Sequence, residues 1–292
     1  MRHHYVPEFL QKPWAENLPG GKLKVFRLDI QGIPSKSHTP KHTGFDNDLY
    51  ALTQEKVAGM EKQAVEKHVL RIIDNNAARV RAKLEKNGLK SLTIEDRMDW
   101  ARFLMSLRLR QPDIVEILKR DSTQHLKATL NDQPEKYEVL ATYEDPPTLE
   151  EWIEEQYPGL IENFGLSFFH ELVDNPEIGT KILKMKWWLC DFSEAPYDLL
   201  LSDHPCIFVH GIDDPNCVIA LPIHPRKAFM ATRSDEVAKV MRNQRPRDLA
   251  VRLNESSLNQ TRVRIYACND SPRRFIENRL AKKRNGNEFS YS

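Results

Sequence analysis

Apolar and charged positions alternate through Lys22–Ile30, where Leu23, Val25, Leu28 and Ile30 are separated by charges. This period of two predicts a β-strand. Gly20-Gly21 ahead of it and Gly32 with Pro34 behind it supply turns. Residues 34–48 are rich in Pro, Ser, Thr, His and Lys and predict a loop. From Glu55 to Asn87 the spacing becomes helical. Val57, Met60, Ala64, Val65, His68, Val69, Ile72, Ile73, Ala77 and Val80 recur at helical spacing, and Asn87-Gly88 forms a stop. Thr93 with Glu95 and Asp96 predicts the N-cap of a helix through Trp100, Phe103, Leu104 and Leu107 to about Asp121, kinked or divided at Pro112. Residues 131–147 predict a connector. A helix capped by Thr148 is broken at Pro158-Gly159, and 166–185 is helical with a break at Asn175-Pro176.

The period then changes. Short apolar runs at 186–192, 199–201, 206–209, 218–221 and 228–231 are separated by turn residues, which predicts an antiparallel sheet. Trp187-Trp188 predicts a pair straddling that sheet with one ring in the core. Helices at 235–243 and 246–261, a strand at 263–267 and a last helix from Ser271-Pro272 to Lys282-Lys283-Arg284 complete the pattern. The expected fold class is α+β: a helical half at about 50–185 packed on a mostly antiparallel sheet at about 186–268. A single domain is expected over 1–284 with a frayed tail at 285–292, and there is no internal repeat.

Composition narrows the classes. The chain has 292 residues, with 43 basic against 42 acidic side chains. This balance argues against coating nucleic acid or anionic membrane through bulk charge, while leaving room for a local basic groove. No apolar run approaches a membrane span, and the first residues lack the apolar core of a signal peptide, so a cytoplasmic location without membrane attachment is expected. Cys190, Cys206, Cys217 and Cys268 form no CxxC pair, which predicts reduced thiols.

The opening residues, Arg2-His3-His4-Tyr5-Val6-Pro7-Glu8-Phe9-Leu10, place two imidazoles beside an aromatic, a proline and apolar residues, which predicts a segment docked into the fold. In an extended segment neighbouring side chains point to opposite faces, so at most one of His3 and His4 faces a given site. Structural hydrogen bonds that lock the segment down are the competing role. Ser202-Asp203-His204-Pro205 follows an apolar run. Asp203 there suits a metal ligand, a general base or a group that orients a histidine, against a turn in which it caps backbone N–H groups. Arg108 and Arg110 lie about 200° apart around a helix and cannot share one site closely. A semi-buried arginine needs a phosphate or a carboxylate, with Glu61 or Glu66 as internal candidates; those two are about 140° apart, so one of them points inward. Asn254 and Asn259 lie in a mostly apolar helix and suit specific hydrogen bonds or a helix break.

These segments match a known pattern. His3-His4-Tyr5-Val6-Pro7 resembles the signature of the domain-of-unknown-function family 4238. Asp48-Leu49-Tyr50 is similar to its aromatic motif, and Met60-Glu61 through Glu66 to its acidic helix. Phe103 through Pro112 is similar to its Phe-Leu-x-x-Gln-x-x-Arg-Thr-Pro helix, with Leu107 in place of the Gln and Gln111 where Thr is frequent. Leu200 through Pro205 resembles its Thr-Ser-Asp-Asn-Pro strand end, with His204 in place of Asn. Leu221 through Pro225 and Val251 through Asn254 complete the match. The resemblance implies membership without implying an activity. The residues themselves suggest a hydrolase, metal-assisted, acting on a phosphate-containing substrate such as a nucleotide or nucleic acid. His3, His4, Ser202 and Asp203 would be its catalytic groups. Arg108, Arg110, Asn254, Tyr5 and Tyr50 would bind substrate, and His4, Asp203 and Glu61 would ligate a divalent metal. The alternative is a non-catalytic interaction module, such as a defence or toxin–antitoxin component.

Overall fold

The computed structural model describes residues 1–16, 19–132 and 134–284, so the tail expected to fray lies outside the described residues. The chain opens with β1 (Arg2–His4), the helical turn α1 (Glu8–Gln11), β2 (Leu23–Arg27), β3 (Ser35–His38), β4 (Phe45–Asn47), β5 (Lys56–Val57) and β6 (Met60–Glu61). A helical stretch follows: α2 (Arg71–Asn87), α3 (Ile94–Leu109), α4 (Pro112–Leu130), α5 (Pro134–Leu140), α6 (Leu149–Gln156), α7 (Leu160–Ser167), α8 (Phe169–Val173) and α9 (Pro176–Lys184). Then come β7 (Lys186–Asp191), β8 (Leu201–Ser202), β9 (Ile207–Val209), β10 (Val218–His224) and β11 (Lys227–Thr232), followed by α10 (Asp235–Arg242), α11 (Pro246–Gln260), β12 (Arg264–Ala267) and α12 (Arg273–Arg284). The fold class is α+β, as the hydrophobic pattern predicts.

The strands form two four-stranded antiparallel sheets rather than one. Their orders are β7-β11-β10-β9 and β3-β2-β12-β8. The first is buried on both faces. Trp187, Ile219, Leu221 and Phe229 join the large core under α3, where the Trp100 ring meets Phe229 edge-on at 5.6 Å. Trp188, Val218, Ala220, Ala228 and Met230 pack with Leu249 and Leu253 of α11 on the other face. Double burial explains why these strands read as unbroken apolar runs. It also corrects the expectation for the tryptophans: they straddle the sheet, but both rings are buried.

Two further local differences have physical causes. The helix expected from Glu55 begins near Val65, with a wider turn over Val65–Leu70 leading into α2. Gly59, at φ 87°, turns residues 56–61 into the small hairpin of β5 and β6, so Val57 and Met60 pair across strands instead of along a helix. Residues 34–48, expected as loop, form β3 and β4, and the 131–147 connector contains α5. Pro112 divides its helix as expected: Gln111 is extended at ψ 140°, and Pro112 starts α4 at a position that needs no backbone N–H.

The N-terminal segment is docked. β1 pairs with β4, Val6 N–H reaches the Gly44 carbonyl at 3.1 Å, and the Trp14 indole donates to the Leu199 carbonyl at 2.7 Å. Tyr5, Val6, Leu10 and Trp14 all enter the core. Gly44 is required at this joint. Its φ is 69°, and a Cβ there would lie 2.6 Å from the Gln11 amide nitrogen, which donates to the Val6 carbonyl.

Candidate functional site

The N-terminal segment reaches two polar clusters, and alternation along β1 sends the His3 and His4 rings to different partners. His3 is fully buried and acts as a latch. Its Nδ1 accepts from Tyr50 N–H at 3.0 Å, so the proton sits on Nε2 and is donated to Gln63 at 2.6 Å. The ring stacks on Tyr50 at 5.3 Å, and burial lowers its pKa.

His4 faces the buried cluster. Burial lowers its pKa as well, and its Nε2 lies 3.7 Å from Glu8. The centre of this cluster is Arg110, the last turn of α3 delivering a guanidinium with no exposed surface. Arg110 contacts Asp74 of α2 at 2.9 and 3.1 Å and donates to the Ser106 hydroxyl at 2.6 Å. The Tyr50 hydroxyl donates to the Arg110 carbonyl at 2.5 Å. Glu66 also faces inward, and burial pushes its carboxyl up to about 7. Burial raises Asp74 too, against the opposing pull of Arg110. Of the two internal partners considered for this arginine, Glu66 is nearby and Glu61 is not. Asp74, the direct partner, sits between Leu70 and Ala77 on the apolar side of its helix, which is the signal that could have found it.

Glu61 stands exposed at the end of β6, paired with Lys67 at 3.3 Å. His4 lies near Glu8 and Asp74, while Asp203 is bound by the backbone amides of Arg262, Val263 and Arg264. The expected metal trio of His4, Asp203 and Glu61 therefore does not assemble, and among the described residues no group of three or more His, Cys, Asp or Glu has metal-holding geometry.

The second cluster forms where β8, β12 and α4 meet. Asp203 accepts from the backbone N–H groups of Arg262, Val263 and Arg264 at 3.1, 2.7 and 2.8 Å. Burial alone would raise this carboxyl. The hydrogen bonds from His204 and those three amides outweigh it and hold its pKa low. Asp203 thus fixes the turn into β12 and also orients His204, whose Nδ1 is 3.3 Å away. His204 Nε2 meets Asp113, in the first turn of α4, at 3.1 Å. Burial works against the imidazolium, but Asp203 and then Asp113 raise its pKa above the ordinary histidine value. Arg262 reaches the other oxygen of Asp113 at 3.4 Å. Tyr5, in the bend that follows β1, meets the Arg264 guanidinium, and burial pushes its phenol up to about 12.

His204 lies between two grooves. One, of about 500 Å³, is lined by Arg108, Asp113, Phe208, Gln260 and Arg262. The other, of about 600 Å³, is lined by Tyr5, Asp46, Asp113, Asp203 and Arg264. Arg108 is exposed and lies over the Phe208 ring at 4.6 Å, on a different side of α3 from Arg110. Cys206 lines the first groove, but burial pushes its thiol up to about 12, so it is no nucleophile. All four cysteines are free.

Three other expected site residues are structural in their contacts. Ser202 is buried; its hydroxyl pairs with Thr261 at 2.9 Å and accepts from His204 N–H at 3.0 Å. Asn254 clamps the approach to β8, accepting from Leu200 N–H at 2.8 Å and donating to the Asp198 carbonyl at 2.9 Å. Tyr50 is fully buried. Conversely, Asp113, Arg262 and Arg264 were missed. The two arginines stand in an alternating strand sequence that any exposed face can carry, and Asp113 looks like an ordinary first-turn acid.

The segments that carry the sequence motifs thus converge from remote parts of the chain onto both sides of β1. An α+β protein with a latched N-terminal strand between a buried arginine cluster and a histidine-centred groove is the class these features define. The chain belongs to the family described as Protein of unknown function (DUF4238), whose model matches residues 2–271. Neither a curated protein nor a solved structure matches it. Among the described residues, no helix is long and apolar enough to cross a membrane.

Proposed function

We propose that the chain hydrolyses a phosphate ester in the groove at His204. The carrying observation is the imidazole held between Asp203 and Asp113, beside the guanidinium groups of Arg108 and Arg262. Arg108 and Arg262 hold the phosphate oxygens. Water attacks phosphorus while the bond to the leaving oxygen breaks. Asp113 accepts the proton lost by the water, and the His204 imidazolium supplies one to the leaving oxygen. The proton then passes along the Asp113–His204 hydrogen bond, restoring both groups. Asp203 is a positioning residue in this scheme, and so is Tyr5 through Arg264. His3 and His4 take no part in the bond changes.

The test is turnover of aryl phosphate mono- and diesters, with and without added Mg²⁺ or Mn²⁺, by the native chain and by His204→Gln. A loss of roughly 100-fold or more in kcat is expected on removing the proton-transfer group. Turnover no higher than that of His204→Gln on every ester would end this reading. An interaction module then becomes the better account, favoured by the exposed Val139, Leu140 and Tyr143 around α5.

A further inference from the structure

The two grooves at His204 continue into a third. A cavity of about 600 Å³ between β2, β3 and β4 is lined by Arg27, Lys36, His38, His42, Phe45 and Arg264. Arg27, Asp46 and Arg264 line both this cavity and the Tyr5 groove. His204, Asp113 and Arg262 in turn line both the Tyr5 groove and the Arg108 groove. The three hollows therefore adjoin in order, each sharing wall residues with the next, and together are termed the channel.

Charge is arranged along it unevenly. The basic groups confined to the ends are Lys36, with His38 and His42, at one and Arg108 at the other, while Arg27, Arg262 and Arg264 also line the middle. Carboxylates gather in the middle, and most are already engaged: Asp29 by Arg27, Asp113 by His204 and Arg262, and Asp203 by backbone amides. The ends also share a second feature. Each carries an exposed arginine over a phenylalanine ring, Arg2 over Phe45 at 4.8 Å and Arg108 over Phe208 at 4.6 Å. Guanidinium planes and aromatic rings are the groups on which unpaired nucleobases stack. Two cationic stacking platforms joined by a groove that is basic at both ends match the backbone and bases of one extended strand. A mononucleotide needs only one platform. The near-zero net charge of the whole chain means that this attraction is local.

We infer that the channel binds a single-stranded polynucleotide along its length, with a backbone phosphate set down at His204. This deepens the proposed hydrolysis and rests on it only for what happens to that phosphate.

The experiment measures fluorescence anisotropy of labelled oligothymidylates of 4 and 20 nucleotides, their uridylate counterparts, a 20-base-pair duplex and a labelled mononucleotide. The 20-mer is expected to bind at least tenfold tighter than the 4-mer and than the duplex. Four phosphate contacts give a slope of log affinity against log salt of about −3 for a single strand. Lys36→Glu, at an exposed position remote from His204 in the chain, should cut the 20-mer's advantage over the 4-mer by about tenfold, and Arg2→Gln should do so by a smaller factor. Equal affinity for 4-mer and 20-mer, tighter binding of the duplex, or a length advantage unchanged in both variants would overturn the inference. Ester turnover without a length advantage ends this inference alone. A length advantage without ester turnover ends the hydrolytic reading and leaves the channel assignment standing.

Discussion

Arg110→Met tests the buried cluster most directly. The side chain has no exposed surface and makes contacts to Asp74 at 2.9 and 3.1 Å and to the Ser106 hydroxyl at 2.6 Å. Removing one partner of a buried ion pair leaves the other charge uncompensated, at a cost of about 3–5 kcal/mol. Asp74 keeps 25% of its side chain accessible, so the lower end of that span applies. A loss of roughly 3 kcal/mol lowers Tm by about 6 °C at about 2 °C per kcal/mol. The deficit also has a pH signature. Asp74 and Glu66 are both raised by burial and both held down by Arg110. Without it they rise further. A carboxyl whose folded pKa is raised gives stability that is fully present below its unfolded value and is lost as pH climbs through the folded value. The variant should therefore lag least near pH 5 and most near pH 8. Calorimetry or denaturant melts of both proteins across that span make the comparison. A deficit below about 1 kcal/mol, or one that does not change with pH, would refute this account of the cluster.

Other perturbations separate the remaining contacts. Asp203→Asn replaces one acceptor oxygen by an amide facing backbone N–H groups; a loss of about 2–4 kcal/mol is expected, with the His204 pKa falling towards its ordinary value in an NMR titration. Because the His204 pKa is raised, its contribution to stability is present below about pH 6.5 and fades as pH rises through the folded value. Melts of His204→Gln should accordingly lack that alkaline decline. Tyr50→Phe strands the Arg110 carbonyl, and denaturation should show about 1–3 kcal/mol lost. Gly165→Ala sets a Cβ 2.7 Å from the Leu118 carbonyl, where α7 crosses α4; a similar loss of about 1–3 kcal/mol is expected in melts, with no effect on anything bound at His204.

The class of fold was legible because helical and strand periods occupy different parts of the chain. Thr93 as a cap, Pro112 as a divider and the buried stripe of α2 all follow from local rules. Two sheets were not legible, because which strands pair depends on contacts far apart in sequence: β12 joins β2 and β8, neither of which is its neighbour. Gly59 shortened the first long helix for a reason visible only once its positive φ is known. At the sites, the different directions of Arg108 and Arg110 were readable from the helix angle, whereas Glu61 and Glu66 part for another reason, Glu61 lying in the β5–β6 hairpin and not on the helix. The partners were harder. Asp113 meets His204 across 91 residues, and nothing local marks an acid at a helix start for that encounter. Asp203 carries both roles weighed for it, cap and orienting group: Oδ2 accepts from the Val263 and Arg264 amides, while Oδ1 accepts from the Arg262 amide and also faces His204.

The single extended run from His3 to Tyr5 touches everything described above. His3 is clamped in the core, His4 looks to Asp74, and Tyr5 grips Arg264 at the channel. Tyr5, which contacts Arg264 in the groove, is thus a single peptide bond away from the half-buried His4. The chemical shift of the half-buried His4 ring is therefore a test of whether a change at the Tyr5–Arg264 contact is felt one residue away, with no label on any ligand.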